Sequence, residues 1–130
     1  MTYTPEEQKA NREKWVAALR SGEFKQAQEV LKTEGPDGEM RYCCLGVACS
    51  LAIREGIEED WPDAAYEDWD QELPVSIRDW LGLQNNSGYL VDEIEGEEHL
   101  IGLNDKANYT FAQIADVIES GKVKLQGLHS

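Results

Sequence analysis

The run RYCCLGVACSLAIR, residues 41–54, decides how the rest of the chain must be arranged, because it carries no charge between its two terminal arginines. Leu45, Ala48, Cys49, Ala52 and Ile53 recur at helical spacing, and Cys44, Val47 and Leu51 fill the face between them. A helix with this pattern is apolar almost all round, and such a helix belongs in the interior. Its start falls near Cys43 or Cys44, with Met40 and Tyr42 entering as a short extended segment. Arg54 and Glu55 followed by Gly56 mark its end. The fold class this predicts is α+β, mostly helical: one small domain around a buried central helix at about residues 44–54, with a short β-hairpin.

Composition narrows the rest. A chain of 130 residues with 41% hydrophobic content supports one core, and folding at this size hides roughly two-thirds of the surface of the unfolded chain. Twenty-six acids against twelve bases give a formal charge of −14. That charge repels phosphate backbones and anionic membrane surfaces over about 8 Å in physiological salt. Direct nucleic-acid and membrane binding are disfavoured, and a basic partner is favoured. Cys43, Cys44 and Cys49 all lie inside the apolar run, and an odd count with two adjacent cysteines does not resemble a secreted disulfide framework. The opening MTYTPEEQKANREK lacks the basic-then-apolar order of a signal peptide, and no run approaches the roughly 20 apolar residues that span a bilayer. The expected location is the cytoplasm.

Thr4, Pro5 and Glu7 form a helix start with a capping box, and the helix is expected to run to about Ser21 with Trp15, Val16 and Leu19 inward. Phe24, Ala27, Val30 and Leu31 predict a second amphipathic helix, so that residues 1–33 form an N-terminal helical hairpin closed by the turn at Gly35-Pro36-Asp37-Gly38. Leu73-Pro74 opens another helix with Val75, Ile77, Trp80 and Leu81 apolar and Gly82 as its stop. Residues 88–103 fit either a hairpin turning at Glu95-Gly96 or a helix beginning at Leu100. Asn104-Asp105 breaks the pattern. Thr110 caps a final helix with Phe111, Ile114, Ala115, Val117 and Ile118 inward and Gly121 beyond its end. Residues 122–130 follow as a tail or a terminal strand.

Residues 55–73, EGIEEDWPDAAYEDWDQEL, hold nine carboxylates and no base, yet interleave Trp61, Tyr66 and Trp69. One reading folds the aromatics back onto the domain and leaves the acids in water. The other is an acidic surface with aromatic anchors for a basic, partly apolar patch of another protein, since aromatic residues are enriched at interface centres.

Other chemistry finds less support. Cys43 or Cys44 at a helix N-terminus, followed by His99 and by Asn104 or Asn108, imitates the order of a Cys-His-Asn hydrolase. No signature of those families surrounds Cys44, and free cysteines are commonly small buried hydrophobes. The cysteines lack zinc-knuckle spacing, and the acidic stretch lacks the alternating ligands and central glycine of a calcium loop. Asn108 to Glu119 has the Thr cap and Ile-Ala-Asp centre of a helix in a helix-turn-helix. Only Lys122 and Lys124 follow it, so it reads as a core helix. No glycine-rich phosphate loop occurs.

Taken together, WVAALRSGEF (15–24), RYCCLGVACSLA (41–52), LPVSIRDWLGL (73–83), LIGLND (100–105) and TFAQIADVIE (110–119) resemble a family of small proteins encoded by bacteriophages and prophages. The most specific element is Tyr42 to Val47, supported by Leu103-Asn104-Asp105. The resemblance implies action in the cytoplasm of an infected host and no particular mechanism. The acidic aromatic segment is its least family-like part.

The expected function is that of a small acidic phage-type accessory protein, not an enzyme and without cofactor or metal. It binds and modulates a host or defence protein that has a basic surface, through an acidic face resembling nucleic acid. The residues expected to carry that binding are Asp60, Trp61, Asp63, Tyr66, Asp68, Trp69 and Asp70. The alternatives are non-catalytic sequestration of a small signalling nucleotide by bases such as Arg12, Arg20, Arg41 or Arg78 with tyrosine or tryptophan stacking, and a Cys-dependent hydrolase.

Overall fold

The computed structural model describes residues 3–28, 31–58 and 72–127. Its centre is helix α2 (Cys44–Arg54), in which eight of eleven residues are buried. An apolar surface on nearly every side requires neighbours on nearly every side. Those neighbours are α1 (Pro5–Arg20), α3 (Val75–Leu81), α4 (Leu100–Asp105) and the strand β3 (Met40–Tyr42), which feeds directly into α2. A fifth helix, α5 (Phe111–Glu119), packs mainly along α1. Fully burying a Val, Leu or Ile side chain contributes roughly 1.5–3 kcal/mol, so the cluster of Leu45, Val47, Ile77, Leu81, Leu100, Leu103 and Ile114 is the main source of stability.

The ends of the long helices follow their sequence signals. The Thr4 hydroxyl accepts from the Glu7 amide at 3.1 Å, while the Glu7 carboxylate accepts from the Thr4 amide at 2.9 Å. Thr110 and Gln113 form the same reciprocal box at the start of α5, which satisfies two otherwise orphaned donors at each terminus. Trp15 is fully buried, and its indole donates to the Cys44 carbonyl at 2.9 Å. That bond pins α1 to the first turn of α2 and gives the polar edge of a core tryptophan its partner.

Among the described residues, strands stand in place of the expected second helix of an N-terminal hairpin. After α1 the chain forms β1 (Lys25–Gln26) and β2 (Lys32–Glu34) in a three-stranded sheet ordered β1-β3-β2. β1 runs parallel to β3 with Lys25 opposite Arg41, and β2 runs antiparallel with Thr33 opposite Arg41. Phe24, Ala27 and Leu31 are buried as their spacing requires, whereas Val30 lies outside the described residues. Helical spacing of the apolar side chains was compatible with a strand-loop-strand, and the backbone decided the matter. Residues 40–42 are extended to enter α2, and their ladder groups need partners on both sides. The turn at Gly35-Pro36-Asp37-Gly38, with Gly38 at φ 81°, supplies one partner by closing β2 onto β3.

Both readings of residues 88–103 are realised in succession. β4 (Tyr89–Ile94) and β5 (Glu97–His99) form a hairpin, and α4 begins at Leu100. The turn residues Glu95 and Gly96 both have positive φ, 50° and 81°, as a two-residue turn matched to strand twist demands. His99 ends β5 and caps α4: its Nδ1 accepts from the Gly102 amide at 3.0 Å. Asn104 and Asp105 complete α4 rather than break it. The segment after α5 behaves as a terminal strand over part of its length. Val123 bridges Leu90, Leu125 bridges Leu83, and the Lys124 amide donates to the Tyr89 carbonyl at 2.8 Å. The result is a mostly helical α+β domain. Among the described residues no helix is long and apolar enough to cross a membrane.

Candidate binding surfaces

Asp60, Trp61, Asp63, Tyr66, Asp68, Trp69 and Asp70 lie outside the described residues. The two stems that carry this segment are described, and both are fixed beside α3. On one side Ile57 packs against the core, and Glu58 accepts a hydrogen bond from the Ser76 hydroxyl in the first turn of α3. On the other, Leu73 is 2% exposed, its amide donates to the Asn86 carbonyl at 2.9 Å, and the Ser87 hydroxyl lies 3.5 Å from the Glu72 carboxylate. The Glu72-Leu73 stem is therefore anchored at the 84–88 loop, which leads straight into β4.

β4 opens an acidic surface that reasoning from the sequence did not single out. Asp92, Glu93, Glu95, Glu97 and Glu98 all sit on the β4-β5 hairpin. Tyr89 and Val91 are each 40% exposed there, and Val75, beside the stems, is 54% exposed. The signal was available in the spacing of charge. Residues 55–105 hold 16 acids and a single base, Arg78, whereas the remainder holds 10 acids and 11 bases. The excess of negative charge thus belongs to one continuous part of the chain. Arg78 offsets one of these charges, that of Asp79 at 3.0 Å, and its guanidinium also reaches Asn86 at 3.3 Å.

The cysteines occupy the interior in thiol form. Cys43 is the N-cap of α2, with its sulfur accepting from the Gly46 amide at 3.4 Å, and the Cys44 sulfur lies 3.9 Å from the Leu100 carbonyl. Burial pushes the Cys43 thiol up to about 12, outweighing its hydrogen bonds to backbone amides. Burial likewise raises Cys44 and Cys49. A helix N-terminus favours the thiolate, but at these buried sulfurs the loss of hydration outweighs that gain. Of the other members of the Cys-His-Asn order, His99 and Asn104 are committed elsewhere. His99 caps α4 and its ring lies 5.5 Å from that of Tyr89. Asn104 is fully buried, donating to the Ala27 carbonyl at 2.8 Å and accepting from the Gln26 amide at 2.8 Å. Gln26 also reaches the Tyr109 carbonyl at 2.7 Å. This polar clasp ties α4 to β1 and to the loop before α5. Among the described residues, His99 makes no hydrogen bond to either Cys43 or Cys44, and no group of three or more His, Cys, Asp or Glu side chains converges as a metal site.

The four arginines considered for an anion pocket divide. Arg41 pairs with Asp37 at 3.2 Å, and Arg78 is held as described. Arg12 and Arg20 share a groove of about 590 Å³ between α1, the end of α5 and Leu125, with Lys9 on the same face. Among the described residues no tyrosine or tryptophan lines it, so none of them supplies the stacking platform expected for a nucleobase.

Fold and surfaces together define a small α+β domain with an acid-rich, partly apolar exterior. A model of a domain of unknown function, DUF8296, matches residues 7–122, and the chain belongs to this family. No curated protein and no solved structure matches it.

Proposed function

We propose that the protein is a non-catalytic binding protein of the phage accessory type, acting in the host cytoplasm by docking onto a basic, partly apolar surface of a host or defence protein. The observation that carries this reading is the confinement of the negative charge to residues 55–105 together with exposed Val75, Tyr89 and Val91 on the same part of the chain. Charge of one sign steers a partner and fixes its orientation, while exposed aromatic and aliphatic side chains supply the contact area. The acidic segment with Asp60, Trp61, Asp63, Tyr66, Asp68, Trp69 and Asp70 and the hairpin acids form one binding region in this reading.

The test is capture from host lysate on immobilised protein at physiological salt, with captured chains identified by mass spectrometry. Two variants accompany it: Asp60, Asp63, Asp68 and Asp70 changed to Asn, and separately Asp92→Asn with Glu93→Gln and Glu98→Gln. A partner lost with both variants, and weakened by raised salt, supports the reading. A partner retained in full by both overturns it.

A further inference from the structure

The groove between α1 and α5 is lined by no described residue of 55–105, and it gathers bases in a protein short of them. On α1, Lys9, Arg12, Glu13, Val16 and Arg20 recur at three- and four-residue spacing, which places them along one face. Ile118 and Leu125 complete an apolar floor with Val16 and Ala17. The volume of about 590 Å³ lies within the roughly 300–1,000 Å³ range of small-molecule sites.

The cations differ in what they have left to offer. Arg20 is taken up by Glu119 at 2.9 Å and Asp116 at 2.6 Å. Arg12 is half-buried and spends one donor on the Leu81 carbonyl at 2.7 Å. Among the described residues its other donors have no acceptor, and a guanidinium has five. Lys9 adds a second positive charge one turn away. Burial disfavours the charged form of Arg12, so an anion arriving there relieves a cost already built into the fold.

From this arrangement we infer that the groove is a binding site for an aliphatic monocarboxylate, its head on Arg12 and Lys9 and its chain on Val16, Ala17, Ile118 and Leu125. Two features select that class. The planar carboxylate matches a guanidinium edge, and the apolar part of the lining is aliphatic, with no ring among the described residues on which a nucleobase would stack. Glu13 and Glu119 border the groove, and their repulsion grows with ligand charge, which favours a monoanion over a phosphate dianion. This inference is independent of the proposed protein-binding role, because no residue of 55–105 is among the described residues that line the groove.

The probe is decanoate, titrated calorimetrically into the full chain at physiological salt, with amide chemical shifts recorded in parallel. The expected result is saturable binding with a Kd on the order of 100 µM and shifts concentrated on α1, α5 and residues 121–125. Ala17→Trp, at an exposed position of the groove, fills it and is expected to weaken binding at least about tenfold. Lys9→Gln, a surface change with no structural bond among the described residues, is expected to weaken it severalfold. Unchanged thermal melting checks that both variants fold. The inference is overturned by absence of saturable binding, by wild-type affinity in folded Ala17→Trp, or by adenosine monophosphate binding more tightly than decanoate. It is also overturned if the wild-type protein is a dimer that Ala17→Trp dissociates, since the groove is then filled by a second copy.

Discussion

Raising the pH from about 8 to about 9.5 is expected to destabilise this protein by an amount set by its three buried thiols. Cys43, Cys44 and Cys49 are at most 3% exposed, and burial raises the pKa of each, that of Cys43 to about 12. In the unfolded chain a thiol titrates near ~8.5. Below that value both states hold the proton and stability is unaffected. Above it the unfolded state releases protons that the native state keeps, so the unfolded state binds fewer and stability falls as pH rises, until the native thiols themselves titrate. Across the window each thiol contributes a loss of about 1.2 kcal/mol, and three contribute about 4 kcal/mol, out of a total stability of roughly 5–15 kcal/mol. Stopping at about 9.5 keeps most lysine and tyrosine titration out of the comparison. Urea unfolding followed by tryptophan fluorescence, under reducing conditions, measures the effect as a fall in midpoint on the order of 2 M. Cys49→Ala, far from the capping role of Cys43, is expected to remove about a third of the pH dependence while costing roughly 1 kcal/mol for the lost packing. A loss below about 1 kcal/mol across the window refutes the reasoning. So does rapid iodoacetamide labelling of the native protein at neutral pH, because a buried neutral thiol is a poor nucleophile.

Three further substitutions test the fold. Gly46→Ala would place a Cβ 1.8 Å from the Leu31 carbonyl oxygen, and the forced separation of α2 from the sheet connection is expected to cost about 3 kcal/mol, read as a lower thermal midpoint. Asn104→Ala leaves the Ala27 carbonyl and the Gln26 amide without their buried partner; a loss of roughly 2–3 kcal/mol is expected in urea unfolding, with accelerated hydrogen exchange in α4. Glu95→Asn converts a strained left-handed residue, φ 50°, into the first half of an Asn-Gly turn and is expected to stabilise the hairpin by about 0.5–1 kcal/mol, seen as an increase in Tm.

Much of this architecture is legible where a local signal and the tertiary requirement agree. Thr4 and Thr110 cap as their sequences indicate, and α2 runs from Cys44 to Arg54 because its apolar pattern and Gly56 bound it on both sides. Phe24, Ala27 and Leu31 satisfy helical spacing, yet the chain around them pairs as strands, because the deciding fact is the non-local need of residues 40–42 for two strand partners. The choice at 88–103 could not be made locally, since a turn signal at Glu95-Gly96 and a helix signal at Leu100 were both genuine. The acidic hairpin carried a readable mark, the lack of any lysine or arginine from Asp79 to Asp105. The α1-α5 groove carried none, because Arg12 and Leu125 become neighbours only when the chain closes.

The motifs that most strongly suggest a family are the ones least able to report an activity. In the run from Tyr42 to Val47, Cys43 caps a helix, Cys44 receives the Trp15 indole on its carbonyl, Gly46 admits the Leu31 backbone, and Leu45 and Val47 fill the core. In Leu103-Asn104-Asp105, Asn104 clasps β1 from a fully buried position. Each of these residues has a sufficient structural reason to be what it is, and none presents a reactive group to solvent. A resemblance built on them speaks to architecture. What distinguishes this chain must then lie on the outside of that architecture: in the acids of residues 55–105, which outnumber the bases of that stretch sixteen to one, and in the groove between α1 and α5, where a half-buried arginine keeps donors to spare. These two surfaces differ in charge and in shape, and neutralising the hairpin acids or filling the groove with Ala17→Trp leaves the core untouched. A variant of either kind that melts like the wild type but loses a partner or a ligand would therefore assign the loss to that surface and not to the fold.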